Sequence, residues 1–453
     1  MIQEIMQLIR RITNSAITRL LVITVLIVFL FVPMGMVKGI IMERADMRQS
    51  VVGEISNKWG DAQTIGGPVL SIPYKTYHTD EKGRIVSTII HNAYFLPDRL
   101  NITGDVSTEK RYRGIYEAVL YRSNLKLHAS FLSLAQSFQE MAINPNDILW
   151  DKAVVSVGIS DLRGVKENNM VSWNNSKLVL NSGIGTDNIM PSGVSTRVPV
   201  SPDQAEYVFD MQLNLNGSSH LNFLPLGKTT AVDINSPWTS PSFCGSFLPD
   251  KRIVNDQGFK AMWSIMNLNR NYPQYWVGEN DKVMGSSFGV NLFLPVDEYQ
   301  KTMRSAKYAA LFIVLTFVTF FITEIINKNR VHPIQYLMIG FAICLFYILL
   351  ISISEHTNFM VAYLISSLAT VGLVSAYTKG ILKSLPMAVT VGGLLVFLYA
   401  FLYITLQLED YALLMGSIGL FIVLSLVMFV TRKIDWYSLS STMRTETEHQ
   451  PVK

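Results

Sequence analysis

Cysteine and charge are what this chain has least of. Its 453 residues hold two cysteines, Cys244 and Cys344. A structural zinc site takes about four ligands, so two separated thiols exclude a cysteine-rich metal module. Cys344 falls in an apolar run and Cys244 in polar sequence, which argues against a bridge between them. The seven histidines show no metal-ligand spacing. Charged residues make up 16% of the chain, against about 25% in ordinary soluble domains. Lys and Arg number 38 and Asp and Glu 34, a net charge of only +4. Without clustered basic charge there is no electrostatic basis for nucleic-acid binding. Mean hydropathy is +0.28, too apolar for a chain wholly in water.

The shortage of charge is uneven. From Tyr308 to Val430 only eight residues are formally charged, whereas the first 307 residues have a nearly soluble charge density. A membrane-crossing helix needs about 20 mostly apolar residues. Six stretches meet this requirement: 20–37, 308–326, 333–353, 359–378, 386–406 and 411–430. The first, bounded by Arg19 and Lys38, exceeds the 7–15 apolar residues of a signal-peptide core and has no A-x-A site after it. It reads as an uncleaved anchor.

Basic residues mark one side of these spans: Arg10, Arg11 and Arg19 before the first, Lys328 and Arg330 after the second, Lys379 and Lys383 after the fourth, Arg432 and Lys433 after the sixth. The alternate loops 354–358 and 407–410 carry no Lys or Arg. By the positive-inside bias both tails, 1–19 and 431–453, are cytoplasmic and the insert 38–307 is periplasmic. The polar end, 438–453, is expected to lack structure.

Within the insert, apolar and polar residues alternate with the period of half-buried strands at Phe209–Leu215, Phe288–Leu294, Val155–Ile159 and Leu125–Phe131. Turn sequences such as Asn144-Pro145-Asn146-Asp147 separate them. The fold class is therefore α+β: six transmembrane helices with a large, mainly antiparallel β domain, in two packed sheets, inserted between helices 1 and 2. Arg44–Lys58 reads as a short helix just outside the first span.

Catalytic strings fail on inspection. Gly227-Lys228-Thr229 ends like a phosphate loop, but Asn222 stands where its first glycine belongs. Ser107–Lys110 and Ser123–Lys126 fit S-x-x-K, yet no K-T-G follows. The reading is of a non-enzyme without cofactor or metal.

Ionisable groups in the apolar block are the candidates for function. Glu324 lies near the cytoplasmic end of the second span, and the plainer reading pairs it with Lys328 one helical turn on. His332-Pro333 opens the third span, where proline suits the first helical turn. Glu355-His356 occupy the outer turn before the fourth span, where the plainer reading is a solvated turn capped by Ser354 or Thr357. Gly372/Ala376 and Ala412/Gly416 have the four-residue spacing of helix-packing faces.

The chain resembles the CreD family, inner-membrane proteins linked to cell-envelope integrity and colicin tolerance in Gram-negative bacteria. The resemblance spans nearly the whole chain. It is carried by Glu43-Arg44-Ala45-Asp46, Gly67-Pro68, Ile72-Pro73, Ser160-Asp161, Arg163-Gly164, Pro241-Ser242-Phe243, Gly245, Phe247-Leu248-Pro249 and Lys307-Tyr308. In the apolar half it rests on His332-Pro333-Ile334-Gln335-Tyr336-Leu337, Ser354-Glu355-His356-Thr357 and Ile434-Asp435-Trp436-Tyr437. It implies an envelope role, with expression tied to a sensor kinase and response regulator, and brings no catalytic residues. Glu324, His332, Glu355, His356 and Asp435 are thus the candidate functional residues. The partners expected are the lipid bilayer and a periplasmic protein or envelope polymer, with homo-oligomers left open. The rival function is a transporter or lipid-handling protein using Glu324, Glu355 and His356.

Overall fold

The computed structural model describes residues 16–432 except 83, 133, 168, 185–188, 279–281, 293–297, 328–330 and 409–411. Its contacts divide the chain into two compact units, Met1–Met47 with Val296–Lys453, and Arg48–Pro295.

The first unit is helical. Helix α1 spans Ala16–Trp59 without a break, carrying Pro33 inside it. The stretch 44–58 is therefore not a separate helix but the continuation of the anchor, and residues from Arg48 on belong to the second unit. No strong helix breaker stands between 38 and 58, so hydrogen bonding simply propagates. Helix α1 stops at Gly60, whose φ of +140° leaves the helical region. Helix α2 (Leu134–Glu140) lies in the second unit. The helical unit resumes with α3 (Glu298–Lys307), α4 (Ala309–Asn327), α5 (Pro333–Ser354), α6 (Phe359–Leu382), α7 (Leu385–Gln407) and α8 (Ala412–Thr431).

Four of these helices, α1, α5, α6 and α7, are long and apolar enough to cross a membrane among the described residues. The pair α3 and α4, bent by 40° at Tyr308, makes a fifth if it is one span. Apolar side chains lie on both aspects of these helices. Ile343, Phe346 and Leu350 are buried in the bundle, whereas Leu345, Leu364, Leu368 and Phe397 face outward and exposed. A surface of that kind is stable in lipid, not in water.

Of the two glycines expected on packing faces, Gly416 has the Tyr308 hydroxyl 3.4 Å from where its Cβ would stand, and Gly372 has no neighbour. A Cβ on Gly372 would touch nothing, while one on Gly340 would collide with the fully buried Leu30, and one on Gly392 with Ser375. Spacing alone marks a small-residue stripe but not the side of the helix that meets a neighbour.

Among its described residues the second unit holds seventeen strands: β1 (Gln63–Thr79), β2 (Ile85–Phe95), β3 (Arg99–Arg113), β4 (Tyr116–Leu132), β5 (Val154–Ile159), β6 (Met170–Trp173), β7 (Ser176–Leu178), β8 (Asn181–Ser182), β9 (Gly193–Arg197), β10 (Glu206–Ser218), β11 (His220–Phe223), β12 (Thr229–Ser236), β13 (Pro241–Gly245), β14 (Lys251–Asn255), β15 (Gly258–Met266), β16 (Tyr275–Val277) and β17 (Phe288–Leu292). They form a nine-stranded and an eight-stranded sheet, the latter in the order β14-β15-β12-β3-β4-β10-β6-β7. Two ladders, β1 with β11 and β3 with β12, are parallel, and the other ladders among described strands are antiparallel. The alternating stretches expected as strands fall in β10, β17, β5 and β4, although 293–294 lie outside the described residues.

One apolar core fills the space between the sheets. Leu125, Leu127 and Ala129 of β4 point into it beside Phe209, Met211 and Leu213 of β10. Trp173 stacks on Tyr207 at 5.2 Å, its indole N–H donating to the Pro199 carbonyl. The strand period that buries this set turns the intervening residues to solvent.

Candidate functional site

Polar residues gather at three places: the two ends of α1 and α5 in the helical unit, and the outer face of the eight-stranded sheet.

At the first end, Arg19 of α1 donates to Glu324 Oε1 at 2.9 Å, and the Tyr336 hydroxyl donates to Glu324 Oε2 at 3.1 Å. Glu324 is only 4% exposed. Lys328, its expected partner, lies outside the described residues, and the observed cation comes from a different helix. The carboxylate enters an apolar bundle because both of its oxygens are hydrogen-bonded, which offsets its desolvation. His332 caps α5: its Nδ1 accepts from the Ile334 amide at 3.3 Å, and its own amide donates to Gln335 Oε1 at 2.9 Å. Pro333 follows at the first helical position, as the sequence indicated. Thr18, Arg19, Glu324, His332 and Tyr336 line a cavity of about 360 Å³ together with Val22, Ile23 and Leu26.

At the other end, Glu355 Oε1 accepts from the Tyr299 hydroxyl at 3.2 Å and lies 3.8 Å from Arg44 Nε. Glu355 therefore faces inward to α1 and α3, while its neighbour His356 is exposed. The two neighbours thus stand in different surroundings. Neither Ser354 nor Thr357 caps α6: their hydroxyls donate to the Ile351 and Ile353 carbonyls. Asn358 is the cap, its side chain accepting from the Val361 amide at 2.9 Å. Asp435 lies outside the described residues.

Arg19 and Val22 line a cavity with His332 and Tyr336, Leu30 meets Gly340, and Arg44 lies near Glu355, so α1 and α5 run in the same direction. Arg19 and Arg44 are 25 residues apart on α1, roughly 37 Å at 1.5 Å per residue. That approaches the ~40–45 Å thickness of a bilayer with its headgroup layers. Between these ends the polar groups are neutral and were not singled out by sequence. Tyr363 donates to the Tyr399 carbonyl at 2.7 Å, whereas the buried Tyr347 and Ser366 hydroxyls have no hydrogen-bond partner among the described residues. Tyr363, Ser366 and Thr370 recur at helical spacing, a signal that charge-based reading passes over.

The outer face of the eight-stranded sheet is the third place. Ladder register aligns Asp233, Thr103, Lys126 and Gln212 in one row, and Ala231, Asn101, His128 and Asp210 in the next. His128 Nδ1 lies 2.7 Å from Asp210 Oδ1, and Lys260 is 3.3 Å from Asp233. Cavities of about 500 and 380 Å³ open on this face and share Thr103 and Lys126. Lys126 has no ion-pair partner among the described residues. The S-x-x-K reading ends here as well: Ser123 is buried and donates to the Leu215 carbonyl, while Lys126 is on the opposite, exposed face.

Two of the short motifs that carry the family resemblance, Ser160-Asp161 and Arg163-Gly164, prove to be fasteners. Asp161 accepts from the amides of Asp61 and Arg163 and from Arg163 Nε at 2.9 Å, and Arg163 in turn donates to the Asn57 carbonyl at 2.8 Å. Ser160 Oγ accepts from the Thr64 amide and donates to the Ala62 carbonyl. Gly164 is required because a Cβ there would come within 2.2 Å of the Asn216 carbonyl oxygen. Burial raises the Asp161 carboxyl, but its bonds to Arg163 and to the two amides outweigh this and hold it below its usual range. Glu54 and Arg113 pair at the same helix end; bonded to Arg113 and then to Lys58, the Glu54 carboxyl is pulled down to about 2.

Residues 15–437 match the family described as Inner membrane protein CreD. The chain is 32% identical over 423 residues to the Inner membrane protein CreD of Escherichia coli strain K12, covering 91% of this chain and 92% of that protein. With its apolar bundle, its two-sheet unit and a match over nearly its whole length, the chain belongs to the CreD family.

Proposed function

We propose that the chain is a multi-pass protein of the bacterial inner membrane that supports envelope integrity by binding, not by catalysis. In this reading six helices cross the bilayer, both termini are cytoplasmic, and the β unit is periplasmic and holds a polar envelope component. The relative's name, the helices apolar on all sides and the one-sided basic loops support the location.

One observation carries the binding reading. An antiparallel sheet with one solvated face is polar there in any case, but this face also has two adjoining cavities with an uncommitted ammonium, Lys126, where they meet. Amide, hydroxyl and charged groups converge on it from β3, β4, β10 and β12. Transport is the weaker reading. Its charged candidates Glu324 and Glu355 are engaged in ion pairs near helix ends, away from the midpoint where transporters place such groups.

A photo-crosslinking residue at Lys126 or Gln212 of the full-length protein in living cells tests this. Capture of an envelope polymer or protein at both positions, and not at the exposed Leu268, which lines neither cavity, is expected. Equal labelling at all three, or none, would overturn it.

A further inference from the structure

Most sheet margins in the β unit are blunted. Strand β13 begins with Pro241, β14 carries Lys251 and Arg252, β8 has two residues, and β7 has three with Lys177 among them. Short length, proline and basic charge are the usual devices that keep an edge from pairing with another chain. Strand β2 has none of them. One side of it pairs with β1 along its length, but on the other side β16 covers only Ala93–Phe95. From Ile85 to Asn92 the outer edge has no strand beside it among the described residues. All eight residues are exposed, on both faces of the ribbon. Ile85, Val86, Ile89 and Ile90 are between 39% and 70% exposed. The sequence Ile-Val-Ser-Thr-Ile-Ile-His-Asn is rich in β-branched residues and carries no formal charge with His neutral.

We propose that this edge pairs with the same edge of a second copy of the chain, joining two β units through antiparallel β2 strands. An unpaired row of N–H and C=O groups takes an extended strand, and two identical antiparallel edges complement each other about a two-fold axis. With the axis at Thr88, Val86 of each copy faces Ile90 of the other, and Ser87 faces Ile89. Branched side chains then cover one another on both faces. The segment is uncharged, so two copies meet without like-charge repulsion, and Arg84 falls opposite Asn92 rather than another cation. The lysine- and arginine-bearing edge of β14 would place like charges side by side in the same arrangement.

The experiment uses the full-length protein in native membranes, with Cys244 and Cys344 replaced by serine. Single cysteines at Ser87, Thr88 and Ile89, and at Ile253 on β14 as a control, are oxidised with copper phenanthroline. A band at twice the chain's mass is expected for at least one of the three β2 positions and not for Ile253→Cys. Ile90→Lys, an exposed change, should weaken that dimer by about tenfold with the thermal unfolding temperature unchanged. Wild-type protein in detergent should have the mass of two chains by light scattering. A monomeric wild type, equal cross-linking at Ile253, or a β2 cross-link to a different protein would each overturn the proposal.

Discussion

Arg19 and Glu324 are 305 positions apart in the chain and 2.9 Å apart in the bundle. This contact joins the start of α1 to the end of α4, and the Tyr336 hydroxyl brings in α5. Glu324→Gln should cost about 1–3 kcal/mol, because Arg19 is then left without its counter-charge. Adding Arg19→Gln should recover part of that loss. Thermal unfolding of the four proteins in detergent gives the coupling; strictly additive losses would mean the two residues act independently.

The turn between α5 and α6 separates three roles. Asn358→Ala should cost about 1 kcal/mol through loss of the helix cap. His356→Ala should cost no more than ~0.5 kcal/mol, since its side chain is exposed. Glu355→Gln keeps an acceptor for Tyr299 but loses the charge facing Arg44, and should fall between them. Unfolding midpoints rank the three; a larger loss at His356 than at Asn358 would refute the assignment of the cap.

Asp161 makes stability depend on acid. Its folded carboxyl lies below the ordinary value of 3.8, so its contribution is complete above that pH and is lost as pH falls through the folded value. Asp161→Asn should destabilise the protein by about 1–3 kcal/mol at neutral pH. It should also flatten the fall in stability below pH ~4. Denaturant midpoints measured from pH 7 to 3 test this, and a variant with an unchanged acid slope would rule the residue out.

Two glycines should respond in opposite ways. Gly164→Ala pushes a methyl against the Asn216 carbonyl and should cost several kcal/mol, on the order of 3 or more. Gly372→Ala meets nothing and should be neutral, or stabilise α6 by up to about 1 kcal/mol. Folded yield and melting temperature of the two variants would show it.

Topology is open to direct measurement. A phosphatase reporter fused after Gly114, a turn with open space around it, should be active only if exported, and a fluorescent reporter at Lys453 only if cytoplasmic. Loss of phosphatase activity at Gly114 would contradict the periplasmic placement of the β unit.

Sequence alone determined what depends on composition and period. Apolar runs of about 20 residues name their own solvent, because backbone polar groups must be satisfied within the helix once water is gone. Alternation in β4, β5, β10 and β17 was legible because strand side chains take opposite faces in turn. His332-Pro333 signalled a helix start because capping and a fixed φ act within a few residues. Tertiary structure decided what depends on partners distant in the chain. No local pattern could show that Glu324 meets Arg19 rather than Lys328, that Glu355 turns inward while His356 does not, or that Gly340 and not Gly372 is the packing glycine. Nor could it show that Ser160-Asp161 and Arg163-Gly164 fasten a helix end to a sheet, or that Thr103, Lys126 and Gln212 line up on one polar face. Periodicity places a side chain on a face of its own element; which element covers that face is settled only when the chain packs.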